Sequence, residues 1–537
     1  MEDYYYKSQG YASHSVLKTM VWGGAGAIVA YGLGLAVYRL CLSPIAGFPG
    51  PKLAALSLWY EFYYDVVCGG RCWAKINELH DRYGPVIRIN PYELHVRDPD
   101  FYDTLYAGPS SGPAPRQMGL VPRRASAPSR TTRTACAGGA LNPFFTKQAI
   151  AHHVEPVIRQ LLAQMCARFE SMKQGMGGGS GEVLDVMRPY AALTTDVITR
   201  YAFDTSYGCV EDPGWRFEWP RAMVEGTKSC HANKQFPWVV PLLRAVPEGV
   251  VGVVSPAVLQ LINFQKDLAR QISAIMNEPR TDSKETDSSS ERRPTTIFHE
   301  LIDSDALPPE EKTLQRLVDE GQTLIAAGQE TTSFLLQTVT YHVLASPALY
   351  ARLRAELQNI DVMNASVAQL ERLPYLRAVV QEGHRFAHGV VGRLQRISPD
   401  APLHFHPISK NNDGGKGGGR DWAISPGTPV SMTSILQHRD PVKFPNPDTF
   451  DPGRWLATPE AVVALDKYLV PFSKGTRSCL GMNLATAEIY LTLAAVFGND
   501  RFEMGLYETS ARDAEVVHDY FIPHGHADSK GVRVVFK

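Results

Sequence analysis

The sequence predicts a mainly α-helical protein with small β-sheets, preceded by one N-terminal transmembrane helix. Three observations carry this expectation. Residues 19–38 form a run of 20 uncharged residues between Lys18 and Arg39. Six later stretches, about 148–174, 185–204, 255–277, 310–345, 347–359 and 482–497, repeat apolar residues at the 3- and 4-residue spacing of a helix. Strand-like runs are short, at 86–89, 93–96 and 532–536.

Composition excludes several classes. With 537 residues, 44% hydrophobic and 20% charged, the chain can bury a large core, and it is not disordered, collagen-like or disulfide-stapled. Lys and Arg total 54 against 55 for Asp and Glu, so a net charge of -1 draws it to no nucleic acid. Eight cysteines are scattered, and the one close pair, Cys68 and Cys72, lacks the neighbouring histidines or second pair of a zinc site.

A tail, residues 1–18, leads into the apolar run 19–38. At 1.5 Å per residue that run spans about 30 Å, one bilayer. It is too long for the apolar core of a cleaved signal, and no small-residue cleavage site follows. Lys7 and Lys18 balance Arg39 and Lys52 across it, so charge leaves the orientation open. Residues 39–51, with SPIAGFPGP at their end, read as a stiff hinge, because proline ends helix and restricts the backbone. The remainder, 52–537, reads as one catalytic domain. Within it 175–181, 279–294 and 411–419 are rich in Gly, Ser or charge and read as mobile surface loops. Their glycines lack the strand and helix context of a nucleotide-binding loop.

Four constellations in the last 230 or so residues carry the chemistry. After Pro308-Pro309-Glu310-Glu311, read as a helix start, a helix of roughly 55 Å is expected to run to Pro347. In its middle stands Ala327-Gly328-Gln329-Glu330-Thr331-Thr332, small residues followed at once by an acid and a hydroxyl. Glu382 and Arg385 lie three apart on one face of another helix. Phe450-Asp451-Pro452-Gly453-Arg454-Trp455 sets a further arginine among aromatics. The last is Phe472-Ser473-Lys474-Gly475-Thr476-Arg477-Ser478-Cys479-Leu480-Gly481. Gly475 permits a tight turn, and Cys479 precedes a helix whose free N–H groups favour a metal-ligating thiolate. Gly481 lets backbone approach something flat, and Arg477 suits an anionic group.

Together, F-x-x-G-x-R-x-C-x-G at 472–481, A-G-x-E-T-T at 327–332, E-x-x-R at 382–385 and F-x-P-x-R-W at 450–455 resemble the signature set of the cytochromes P-450, the haem-thiolate monooxygenases. The resemblance covers about 45–537. The segments LNPFFTKQAI, TIFHELIDSDALPPEEK, GVVGRLQRISPD and DSKGVRV resemble the fungal secondary-metabolite branch that includes trichodiene oxygenase.

That resemblance implies the cytochrome P-450 fold and a haem b whose iron has Cys479 as its axial ligand, with Phe472 and Gly481 beside it and Arg477 and Arg393 on its propionates. It implies a structural network of Glu382, Arg385 and Arg454 that retains the haem. Glu330 and Thr331 would supply protons during dioxygen activation, and Thr323, Ala326, Ala327, Val390, Val391 and Phe521 would line the substrate pocket. The expected activity is hydroxylation or epoxidation of an apolar small molecule, a terpenoid or polyketide intermediate. Electrons would come from NADPH through a separate NADPH-cytochrome P-450 reductase. The expected location is the endoplasmic reticulum membrane, single-pass, with the catalytic domain cytosolic and 236–240 dipping toward the lipid. The alternatives are a haem-thiolate isomerase or dehydratase, which has less need of Glu330 and Thr331, and a catalytically impaired relative.

Residues 109–140 depart from that pattern. In the branch it resembles, a histidine-arginine cluster precedes LNPFF, on a helix that donates to a propionate. Here 131–139 read TTRTACAGG, and no Asp or Glu occurs between Asp103 and Glu155. For a permitted choice of codons, TTRTACAGG read one base earlier becomes DHEDRVRRR. The expectation is a wrong-frame translation over roughly 109–140. Sequencing the transcript checks this: the basic run is expected in frame, and a message encoding the segment as written removes the explanation.

Overall fold

The computed structural model describes residues 2–107, 116–117, 139–174, 182–239, 242, 246–247, 249–251, 256–278, 296–305, 307–407, 420–498 and 500–537. The three expected loops fall almost wholly outside the described residues, as does 109–140 except for residues 116, 117, 139 and 140.

The first helix, α1 (Glu2–Val37), continues as a short π-helical turn, Tyr38–Leu42. Residues Lys18–Leu42 are apolar, exposed and long enough to cross a membrane. The proline segment after it lies against the catalytic body. Ile45 is buried, Phe48 stacks on Trp422 with ring centroids 4.7 Å apart, and Arg88 donates to the carbonyl of Arg39 at 2.7 Å.

The helices that matter for the site are α2 (Cys72–Tyr83), α3 (Glu155–Gln174), α4 (Met187–Phe203), α5 (Glu218–Thr227), α6 (Pro256–Asn277), α7 (Leu314–Ala345), α8 (Pro374–Ala387) and α9 (Met482–Phe497). The ends of α4, α6 and α9 fall close to the apolar periodicity, and the expected 148–174 helix is α3 preceded by a short helical turn and a π-helical turn, Ile150–Val154. One start differs: Pro309–Glu311 forms only a 3-10 turn, and α7 begins after it, where the Thr313 hydroxyl accepts the Arg316 N–H at 3.3 Å. At 32 residues α7 is about 48 Å long. It stops before Ser346-Pro347, since the residue before proline is pushed out of helical geometry.

Helix α7 is the central beam, and α4, α6, α8 and α9 all pack against it. Leu317, Ile325, Leu336 and Val339 of α7 join Leu193 and Val197 of α4, Val379 of α8 and Leu491 of α9 in one core. The contact with α8 is close at Gly383, where a Cβ would stand 2.4 Å from Cγ2 of Val339.

Sheets occupy the flank. Strands β1 (Val86–Arg88), β2 (Leu94–Val96), β3 (Arg116–Gln117), β5 (Arg396–Ile397) and β8 (Pro429–Ser431) form one sheet in the order β1-β2-β8-β5-β3. Strand β12 (Arg533–Phe536) pairs antiparallel with both β4 (Leu184–Asp185) and β9 (Met504–Leu506). Two hairpins complete the set: β6 (Leu403–Phe405) with β7 (Trp422–Ile424), and β10 (His518–Tyr520) with β11 (Ile522–His524).

Behind the core, Glu382 and Arg385 are 0% and 1% exposed, so their charges must be met within the protein. Arg385 forms a fork on the carboxylate, Nη2 to Oε1 at 2.7 Å and Nε to Oε2 at 3.0 Å. Oε1 also accepts from Arg454 Nε at 3.1 Å and the Asp451 N–H at 2.8 Å, and Oε2 accepts the Trp455 indole N–H at 2.9 Å. The rest of the Arg385 guanidinium donates to the carbonyls of His438, Pro447 and Thr449. Glu382, Arg385 and Arg454 thus come together as one network that ties α8 to the segment 438–455. Replacing Arg385 by alanine removes two of the five donors to the buried carboxylate and is expected to destabilise the protein by about 3–5 kcal/mol, read from the denaturant midpoint of the full chain.

Candidate active site

The loop before α9 is shaped by its backbone. Gly475 has φ +75°, and a Cβ there would lie 2.3 Å from the carbonyl oxygen of Ala107, so only glycine fits. The chain makes a 3-10 turn at Gly475–Arg477, the Ser478 N–H closes it on the Gly475 carbonyl at 3.1 Å, and the Cys479 N–H donates to the Phe472 carbonyl at 2.8 Å. These bonds bring Phe472, Arg477, Cys479 and Gly481 to one wall of a cavity of about 360 Å³, in the size range of a ligand site. Phe472 meets the ring of His384 edge-on at 4.9 Å. Thr323, Ala327, Gly328, Thr331 and Thr332 of α7 line the same cavity, as does Val390.

Cys479 is exposed only because the cavity opens onto it. Surrounding protein desolvates the sulfur and pushes the thiol pKa up, against one opposing hydrogen bond from the Gly481 N–H. This corrects the expectation that the helix start by itself holds a thiolate: the positive charge of a bound metal is what would ionise it.

The residues present fit a haem. The donor is a soft thiol, no atom lies within 4 Å of where a Gly481 Cβ would be, and Leu480, Leu484 and Ala485 add an apolar surface. Cations stand at the edge, though not the pair expected. Arg393 is buried and committed elsewhere, with Nη2 2.5 Å from Glu61 Oε1 and 3.0 Å from Asp65 Oδ2. Arg396 instead neighbours Arg477. Its guanidinium lies 4.6 Å from the Tyr106 ring centroid, and burial, together with the like charge of Arg477, lowers its pKa against the opposing tyrosines.

The reason is the two-residue period of extended chain. Gly392 and Leu394 line the cavity, which puts Arg396 on that side, whereas Arg393 and Gln395 turn to the acidic group Glu61, Asp65 and Glu93. That period was available in GRLQR and is the signal that singles out Arg396. Although burial alone would raise it, Lys234 and Arg393 hold the Glu61 carboxyl down at about 2.

On α7 the Thr331 hydroxyl donates to the Ala327 carbonyl at 3.0 Å while its side chain faces the cavity. Glu330, one residue and 100° away, does not line the cavity; it faces the β10–β11 hairpin, with Oε1 4.0 Å from His524 Nε2. Burial pushes its carboxyl up to about 8.

Of the expected pocket residues, Thr323, Ala327 and Val390 line the cavity, and Ala326, Val391 and Phe521 do not. Ala326 packs against the helical core one helical step from the cavity face. Val391 is fully buried and donates its N–H to the Phe521 carbonyl at 3.0 Å. Phe521, at φ +77°, presses its ring on Gly392, where a Cβ would be 3.1 Å from Cδ2. Tyr102, Tyr106, Leu324 and Glu320 line the cavity and were not singled out.

The chain is similar to known proteins along nearly its whole length. The family model for cytochrome P-450 matches residues 49–513. Tryptophan 6-hydroxylase fscE of Fusarium equiseti is 41% identical over 513 residues, covering 93% of this chain and 94% of that protein. N-acetyltryptophan 6-hydroxylase ivoC of Emericella nidulans is 40% identical over 518 residues, 94% of each. The monooxygenase MO6277 of Ascocoryne sarcoides is 40% identical over 537 residues, 95% of this chain and 98% of that one. Among solved structures, the haem domain of cytochrome P450DA superposes with a TM-score of 0.62 at 16% identity, covering 89% of this chain and 94% of that chain, a likeness of fold. With a cysteine loop and A-G-x-E-T-T helix facing one cavity, and relatives of this identity and coverage, the chain belongs to the cytochrome P-450 family, whose cofactor is a haem on a cysteine thiolate.

Proposed function

We propose that the protein is a membrane-anchored monooxygenase that hydroxylates or epoxidises an apolar small molecule of fungal secondary metabolism, drawing electrons from NADPH through NADPH-cytochrome P-450 reductase. The observation that carries this is that Cys479 and Thr331 line one largely apolar cavity. Bound haem supplies the reductive activation of dioxygen. Cys479 would hold its iron, Phe472 would shield the sulfur, and Arg477 with Arg396 would pair with its propionates. Glu330 would pass protons and Thr331 would orient them at the cavity wall. A terpenoid or polyketide fits the apolar lining. An indole-bearing substrate is the second reading, favoured by the two tryptophan hydroxylases among the relatives and by the polar residues Glu320, which also pairs with Arg316, and Thr323 in the cavity lining, whose oxygens would accept from an N–H donor. Comparing metabolites with and without the gene separates the two.

Within this proposal the location is the endoplasmic reticulum with a cytosolic catalytic domain, and the apolar helix Lys18–Leu42, long enough to cross a membrane, supports the anchoring. Near it Trp59 and Trp238 are 60% and 63% exposed, and Phe236 packs on Trp59 and Phe62, an aromatic surface suited to the lipid interface.

Three outcomes are expected. Cys479→Ala should lose the red-shifted Soret band of the reduced carbonyl complex; retention of that band in the variant removes Cys479 as the ligand. Thr331→Ala should keep the band and release more hydrogen peroxide per NADPH oxidised, and an unchanged peroxide yield removes its role. Deleting residues 1–37, which spares the Arg39 contact, should free a folded protein from membranes in high salt, as sedimentation would show.

A further inference from the structure

Adjacent residues of α7 serve different surroundings: Thr331 faces the cavity, Glu330 a buried niche under the β10–β11 hairpin. What reaches Glu330 there is His524, the last residue of β11. Its Nε2 stands 4.0 Å from Glu330 Oε1 and 3.1 Å from the Thr227 hydroxyl at the end of α5. The two side chains are only 10% and 13% exposed. The Thr227 hydroxyl donates to the Val224 carbonyl at 2.7 Å, so its oxygen accepts from Nε2–H and holds the neutral imidazole in the tautomer whose proton lies on the Glu330 side, with the carboxylate just beyond hydrogen-bond reach at rest.

We propose that His524 is a positioning residue for proton delivery, reloading Glu330 from the hairpin side after Glu330 has given its proton to the cavity. In this step the Nε2–H bond breaks and a Glu330 Oε1–H bond forms, while a proton from solvent binds Nδ1. The ring is left neutral as the Nδ1–H tautomer, and it resets by exchanging Nδ1–H for Nε2–H through solvent, which restores the Nε2–H bond to the Thr227 oxygen. No electron moves. Burial raises the Glu330 carboxyl to about 8, so the net move of a proton from neutral solvent to the carboxylate is favourable, and burial, with Lys228 and His518 nearby, lowers His524 to about 4, so the ring rests neutral between transfers. Tyr520 of the hairpin, with its ring centroid 5.0 Å from that of His524, is a further ionisable group beside the pair, and Cys230 and Glu225 of α5 lie near that tyrosine; burial is the cause acting on Glu330 itself.

The inference rests on the monooxygenase reading, and the test separates the two. In the full-chain, haem-loaded protein the Glu330 carboxyl is followed by infrared titration and assigned by its loss in Glu330→Gln. A fixed cation in His524→Arg is expected to lower its midpoint by about one pH unit or more, with His524→Gln leaving it in place. With NADPH, the reductase and no added substrate, His524→Gln is expected to raise several-fold the share of oxidised NADPH that leaves as hydrogen peroxide rather than water. The melting temperature and the carbonyl Soret band should stay where they are. Thr227→Val, which removes the hydroxyl beside Nε2, should raise peroxide in the same direction. An unmoved midpoint in His524→Arg overturns the proposal, as does peroxide at the wild-type level in both His524→Gln and Thr227→Val, or a rise that only follows loss of stability. Absence of the shifted Soret band in the unsubstituted protein overturns the monooxygenase reading instead, and the infrared result stands apart from it.

Discussion

The carboxylate of Glu382 lies beyond the reach of water, and a charge so placed persists only when donors surround it. Five do, from Arg385, Arg454, Asp451 and Trp455. These bonds lock α8 to the segment that leads into the cysteine loop. His438, whose carbonyl Arg385 holds, in turn takes the Val470 N–H on Nε2 at 2.8 Å, just upstream of Phe472. The other side of α8 meets α7 through Gly383 with no room for a methyl group. One buried acid therefore helps set the separation between the cysteine wall and the Thr331 wall, and with it the width of the cavity.

That cavity is made for a group with its own charge. Cys479 sits in a desolvating setting that favours the neutral thiol, while Arg396 and Arg477 crowd positive charge at the edge. A bound haem, with its charged iron and carboxylates, would offset both. Gly475 and Gly481 serve the same end, one by allowing the loop to turn against Ala107 and the other by leaving open space beside the sulfur.

A second charged group, apart from the cavity, joins the surface elements. Arg393 bridges Glu61 and Asp65, Lys234 pairs with Glu61 at 2.8 Å, and His231 bonds the Asp519 carbonyl at 2.6 Å. The helical turns at 59–67, the segment Cys230–Gln235 and the β10–β11 hairpin are thereby fastened to one another. The hairpin so held is the one that carries His524, so the acid–imidazole pair inherits its position from this buried group.

By itself the sequence determined the class of fold and the chemical actors. Period-3.6 apolar spacing is a local property, so the long helices and their ends were legible, and four motifs in fixed order named Cys479, Glu330, Thr331 and the Glu382 network. Tertiary structure decided which neighbours of those residues face the cavity. Whether Arg393 or Arg396 stands beside Arg477 turns on the pleat of a short extended segment, and whether Ala326 or Ala327 lines the wall turns on one 100° helical step. The protonation preference of Cys479 and the approach of His524 to Glu330 depend on burial and on elements nearly 200 residues apart, and no local pattern encodes either.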